Sequence, residues 1–229
     1  MFSQTWQVGL DIQDHSIRAL AAQRRRNGWQ LRHWWQQALP YSALRAGHLE
    51  SSAMLVEVLK QWRSRLPRHI SLRIALPAQR VLQQTLPLPD LRLQEPVRHD
   101  YITTQGLKQF PLDSQTLAMD YRQAQPNTHQ LLLTAARQQE LQQWLHCLQQ
   151  ADLHPQVIDI APNALSMMAA FAGLAPDAGL LHRLESEWLW VAPRAIAADA
   201  GYAHGSLLFA VLPTGQATLD IAGLSSATH

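Results

Sequence analysis

Between Trp6 and Leu76 the hydrophobic period runs from two to 3.6 and back to two, and that order leaves few folds open. Val8, Leu10 and Ile12, then Ile17, Ala19 and Ala21, then Leu31, His33 and Trp35 alternate with other residues, as strands packed on one face do. The intervening turns are short, so the three strands form an antiparallel meander. From Ser52 to Leu66, the positions Leu55, Val58, Leu59, Trp62 and Leu66 recur at helical spacing, and Pro67 supplies the stop. Ile70, Leu72, Ile74 and Leu76 then alternate strictly. A helix between two strands is the long connection that a parallel neighbour demands, because the chain must cross one face of the sheet. The segment therefore predicts one lobe of an α/β fold.

Pro77, Pro87 and Pro89 then punctuate the chain around a strand from Val81 to Leu86, and a polar helix is expected from Pro96 to Gln109 with Gly106 weakening its end. A strand over Leu117, Met119 and Tyr121, a turn at Pro126-Asn127 and a strand at Leu131–Leu133 continue what reads as an inserted subdomain. Leu141, Trp144, Leu145 and Leu148 mark a strong amphipathic helix. A strand from Gln156 to Ile160 and a helix N-capped by Asn163 and running to Phe171 return to the main lobe. Beyond Gly173 only Glu187–Val191 reads as a strand. The expected domains are 1–79 plus 156–175 for the first lobe, 80–155 for the insert and 176–229 for a shortened second lobe.

With 229 residues, 47% of them hydrophobic, the chain can bury a substantial core. No apolar run approaches the roughly 20 residues that span a bilayer, and the N-terminus lacks the layout of a signal peptide. A cytoplasmic location is expected. The single cysteine, Cys147, lies in a helical pattern as a small buried hydrophobe. A formal net charge of +2 is too small to diagnose nucleic-acid binding. Arg24-Arg25-Arg26, followed by Asn27-Gly28, reads as a solvated hairpin tip; three arginines could touch anionic lipid or DNA, but no aromatic-interleaved groove accompanies them. The histidines lack zinc spacing, and no metal is expected. Asp11 and Asp159 are strand-end carboxylates that could face one cleft, although such aspartates commonly serve turns. Trp34-Trp35 puts one ring on each face of its strand; one ring could be open to a partner, but both are expected to be covered, one by the helix around Trp62 and the other by the second lobe.

Several segments together resemble a known family. They are Val8 to Arg18, Arg32-His33-Trp34-Trp35, Ile74-Ala75-Leu76-Pro77 with Leu86-Pro87-Leu88-Pro89, Gln109-Phe110-Pro111-Leu112 leading to Met119-Asp120-Tyr121, Ala135-Ala136-Arg137, and Ala151-Asp152-Leu153 with Val157–Ile160 and Asn163-Ala164-Leu165. In order and spacing they resemble PilM, the cytoplasmic actin-like component of type IV pilus machines, over about the first three quarters of the chain. The resemblance implies an α/β, actin-like (FtsA/PilM-like) two-lobed ATPase fold with an inserted 1C-type subdomain and a short, degenerate second lobe. It also implies a groove between first lobe and insert for the cytoplasmic N-terminal peptide of PilN, or of HofN in the enterobacterial system. Arg80, Leu86, Leu88, Tyr101 and Leu107 are the groove candidates, placed by region only. The implied role is a nonenzymatic scaffold of a pilus-like or DNA-uptake apparatus. It would lie at the inner membrane through its partner and would not contact DNA.

The chain departs from the family where ATP would bind. An actin-like site clamps the nucleotide with two phosphate hairpins and a C-terminal glycine pair, each needing close backbone approach. The first hairpin keeps Asp11 but has Gln13 for its glycine, followed by Ser16 and Arg18. In the second lobe Gly179–Glu185 carries no Asp-x-Gly turn, and the adenosine segment survives only as Ile221–Ser226 around Gly223. The expectation is weak or absent binding of ATP and magnesium, no cofactor and no catalytic residue. One rival is an ATPase using Asp11, Ser16 and Arg18 with unorthodox phosphate contacts. Another is the actin-like cytoplasmic part of a type II secretion protein of the GspL kind.

Overall fold

The computed structural model describes residues 5–90, 92–123, 129–175, 178–192 and 209–213. Strands β1 (Trp6–Ile12), β2 (Ser16–Arg25) and β3 (Gly28–Ala38) form the antiparallel meander. Gly9 pairs with Leu20, and Leu20 with Trp34. A β-bulge at Arg32 shifts the β2–β3 register, so Ala21 faces His33 while Ala22 faces Leu31. One inserted residue flips the alternation of everything beyond it. Leu31 therefore shares the exposed face with Trp34, whereas the unbroken alternation in the sequence had aligned it with His33 and Trp35. Arg32 turns toward the other face and donates through Nε and a terminal nitrogen to Gln23 Oε1 at 2.9 and 2.7 Å.

Two short strands that the sequence did not announce, β4 (Leu44–Arg45) and β5 (His48–Leu49), follow. Ala46 and Gly47 join them with φ of 48° and 74°, the left-handed pair of a tight hairpin turn. Helix α1 (Ala53–Arg63) starts where Ser52 accepts the Leu55 N–H at 3.1 Å. It buries Leu55, Val56, Leu59 and Trp62, each contributing roughly 2 kcal/mol by removal from water. Trp62 stacks on Trp35 with ring centroids 5.2 Å apart and planes 9° apart. Trp34, on the opposite face, is 69% exposed, so the expectation that both rings are covered fails: α1 covers one face of β3 only. Strand β6 (Ile70–Leu76) then joins β1 in parallel, Leu10 beside Ile74.

The insert holds β7 (Val81–Pro87), α2 (Val97–Leu107), β8 (Leu117–Gln123) and β9 (Gln130–Arg137). Its antiparallel sheet has the order β7-β9-β8. Its own core contains Leu86, Ile102, Phe110, Leu117, Leu131, Leu133 and Ala135. Gly106 is where α2 meets the sheet: a Cβ there would stand 2.9 Å from Met119 Sδ and 3.2 Å from Leu133 Cδ1. The glycine that weakens the helix locally thus lets α2 lie close to the sheet, where a larger residue would displace the flexible end of Met119 and press on Leu133.

Helix α3 (Gln138–Gln150) buries Trp144, Cys147 and Leu148. Gln139–Ala164 groups with Met1–Arg80 as one compact unit, and Val81–Gln138 falls in the other, whereas the sequence reading counted α3 in the insert. Contacts explain the grouping: Gln143 Nε2 donates to the Leu49 carbonyl at 2.8 Å, and Arg63 Nε donates to the Asp152 carbonyl at 2.9 Å. Strand β10 (Pro155–Ile160) completes a five-stranded sheet of order β10-β6-β1-β2-β3, parallel to β6. Helix α4 (Ala161–Phe171) begins two residues before the expected N-cap. Asp159 Oδ1 accepts from the Ile160 N–H at 2.8 Å and from Asn163 Nδ2 at 3.3 Å, so the carboxylate serves the helix start. Finally β11 (Leu180–Arg183), β12 (Glu187–Val191) and β13 (Phe209–Pro213) form an antiparallel sheet in chain order. Of these only β12 is legible in the sequence.

Candidate functional site

The first hairpin turn sits at the C-terminal end of β1, where open α/β sheets place their ligands. Gln13 N–H donates to the Ser16 carbonyl at 2.8 Å, closing the turn between the paired residues Ile12 and Ile17. Its side-chain amide also donates to both Asp11 carboxylate oxygens, at 2.8 and 3.0 Å. Ala46 and Asp152 are the non-glycine residues at positive φ among those described, so Gln13 holds its turn without left-handed strain. Arg18 lies directly across from Asp11 on β2, and Ser16 is buried. The register of β1, β6 and β10 places Asp11, Ala75 and Asp159 in one row. Two strand spacings, about 10 Å, separate β1 from β10, and Asp159 is engaged at the start of α4.

The second turn repeats the first. Leu184 N–H donates to the Glu187 carbonyl at 2.8 Å, between the paired residues Arg183 and Trp188. Leu184, Glu185 and Ser186 fill it, with no glycine among them. Gly223 lies outside the described residues, as does the turn expected at Pro126-Asn127. Among the described residues no group of three His, Cys, Asp or Glu converges as a metal site.

The neck of the insert is a separate constellation. Arg80 immediately precedes β7, and Glu140 lies in the first turn of α3, just after β9. Their side chains form a two-pronged ion pair, Nε to Oε2 at 2.7 Å and a terminal nitrogen to Oε1, with 29% and 12% of the side chains exposed. The hydrogen bond to Glu140 raises the Arg80 pKa above its ordinary value, against the opposing effect of burial. Below this pair the β4–β5 turn presses on the same loop: a Cβ on Gly47 would stand 3.0 Å from Pro77 Cβ and 3.1 Å from Arg80 Cγ. Beside it His48, Gln139, Gln142, Gln143, His146 and Gln149 rim an open depression of about 670 Å³.

The other groove candidates divide by environment. Leu86 is buried in the insert core, and Leu88 and Leu107 pack against that core partly buried. Tyr101 is 44% exposed on α2. Cys147 is fully buried, and that burial pushes its thiol pKa up against a lowering hydrogen bond from Ser51.

A meander continued by parallel crossover strands, followed by a second three-stranded meander with the same turn closure, defines an actin-like fold. The model of the type IV pilus assembly protein PilM family matches residues 9–180. The chain belongs to that family. The DNA utilization protein HofM of Escherichia coli (strain K12) is 26% identical over 190 residues, covering 83% of this chain and 73% of that protein. Among solved structures, a chain of a PilM-PilN type IV pilus biogenesis complex superposes with a TM-score of 0.70 at 20% identity, covering 92% of this chain. This chain spans 62% of that longer one. The cytoplasmic domain of EpsL, an inner membrane component of the type II secretion system of Vibrio cholerae, gives a TM-score of 0.55 at 10% identity, covering 91% of this chain and 71% of its own. At these identities the two structures establish the fold alone. No helix among the described residues is long and apolar enough to cross a membrane.

Proposed function

We propose that this protein is a nonenzymatic scaffold of a pilus-like, DNA-uptake apparatus that holds the cytoplasmic N-terminal peptide of a PilN- or HofN-like inner-membrane protein. The observation that carries this reading is membership of the PilM family over residues 9–180, joined to a clamp turn closed upon itself. Gln13 caps Asp11 with its own amide, occupying the carboxylate that a bound nucleotide's metal or water would need. The residues of this turn do not fit a phosphate clamp, which requires bare backbone N–H groups. With Asp11, Ser16 and Arg18 alone the clamp has no counterpart in the glycine-free turn of the second sheet, and we infer that ATP and magnesium are not its cofactors. The protein acts in the cytoplasm, at the inner membrane through its partner and without contacting DNA.

For the peptide, the insert supplies Tyr101 as an exposed aromatic anchor, with Leu88 and Leu107 offering the outer parts of partly buried side chains. Leu86 supports them from the core of the insert. Isothermal titration of the full chain with the N-terminal peptide of the HofN-like partner tests the reading. Binding that falls at least tenfold in Tyr101→Ala supports it, and no binding by the unsubstituted chain overturns it. A rise in melting temperature with millimolar Mg-ATP would restore the ATPase reading, since a ligand of the native state must stabilise it.

A further inference from the structure

We propose that the outer face of the β2–β3 hairpin docks directly on anionic phospholipid, giving the protein a membrane contact of its own. The bulge at Arg32 gathers onto one face Leu20, Leu31 and Trp34, which are 55%, 57% and 69% exposed, with Trp29 at 52% toward the tip. Cross-strand pairing sets Leu20 against Trp34 and Trp29 against Arg24. Beside Leu20 on β1 is Gly9, where a Cβ would meet nothing within 4 Å, so the patch continues into open space.

Charge selects the occupant. The hairpin from Ser16 to Ala38 carries no carboxylate and five arginines, of which Arg18, Arg24, Arg25 and Arg26 are exposed while Arg32 is held by Gln23 toward the opposite face. Arg24, Arg25 and Arg26 crowd the exposed tip, and the Arg24 guanidinium lies 5.6 Å from the Trp29 ring centroid. On β1, Asp11 pairs with Arg18 at the far end of the hairpin from the tip. Indole rings settle at the headgroup level of a bilayer, and clustered basic residues are drawn to anionic headgroups. A protruding hairpin that combines the two matches the chemistry of an acidic lipid surface. Nucleic acid would instead want a basic groove with rings that stack on bases. This surface is independent of the peptide site, since its residues lie on β2 and β3 and those of the peptide reading on the insert.

The test is co-sedimentation of the full chain with vesicles of one part phosphatidylglycerol to two parts phosphatidylcholine, against phosphatidylcholine alone. Binding to the anionic vesicles alone, reversed by high salt, is expected. Combined Arg24→Gln, Arg25→Gln and Arg26→Gln should weaken it on the order of 100-fold. The same charge change at Arg45, Arg65 and Arg68, also exposed, should leave it within about twofold. Trp34→Ser with Leu31→Ser should lower it by about tenfold while far-ultraviolet circular dichroism is unchanged. Equal binding to both vesicle types, equal loss in the two arginine triples, or retention by duplex DNA without retention by vesicles would each overturn the proposal.

Discussion

The β1–β2–β3 and β11–β12–β13 sheets are two versions of one design. Each closes its first turn with an N–H to carbonyl hydrogen bond of 2.8 Å spanning three residues, and each runs antiparallel in chain order. They differ in what surrounds the turn. In the first, β6 and β10 extend the sheet to five strands, and α1 covers one face. In the second, three strands of four or five residues are described. The turn hydrogen bond is a local property, set by the strands on either side of it. Neither turn contains a glycine, while both keep the backbone closure that the neighbouring strands need.

The sharpest break of this comparison is a pair of core truncations. Trp62→Ala removes the stacking partner of Trp35 from a fully buried site and should cost about 3–5 kcal/mol in urea unfolding. Leu189→Ala in β12 should leave the main transition of the first lobe in place. A common loss in both would mean the two sheets unfold as one. Arg80→Ala, which strands the mostly buried Glu140 at the neck, should destabilise by about 1–3 kcal/mol. Because the Arg80 pKa is raised, the arginine stays charged and paired through neutral and moderately basic pH, and the difference between wild type and variant should be flat from neutral pH upward until arginine's ordinary range is reached.

Gly47→Ala places a methyl against Pro77 at positive φ and should cost roughly 1–2 kcal/mol, again by urea titration. Cys147 gives a pH signature. A thiol whose folded pKa is raised favours the fold fully below its ordinary value of 9.0 and loses that contribution above it. The melting temperature should therefore fall more steeply between pH 8 and 10 in wild type than in Cys147→Ala, by about 1 kcal/mol or less in equivalent stability. The smallest effect is expected from Gln13→Gly. It removes the exposed hydrogen bonds to Asp11, should change stability by under about 1 kcal/mol, and should not by itself produce a thermal shift with Mg-ATP. A shift would mean that one glycine suffices, and the likeness of the two altered turns would lose its meaning.

Most of the first lobe was legible because its strands and α1 have one wet face, so their periods are written in the residues. The insert was legible as punctuation and short strands. The site was less so: Gln13's substitution is visible in the sequence, but its hydrogen bonds to Asp11 are not, and Leu86 looks like any groove leucine until its core is seen. Asp159 and Asn163 show the same limit, since either could cap a helix and only the path of the backbone chose between them.

What the amino-acid order determined by itself was local: periods of two and 3.6, proline stops, two turns without glycine, and a hairpin rich in arginine without acids. Tertiary structure decided the rest. It grouped α3 with the first lobe through Gln143 and Leu49, built the Arg80–Glu140 neck, and used the bulge at Arg32 to turn Leu31 outward beside Trp34. The physical reason is that periodicity reports which face is wet, whereas register and long-range pairing depend on partners distant in the chain, whose geometry no local pattern records.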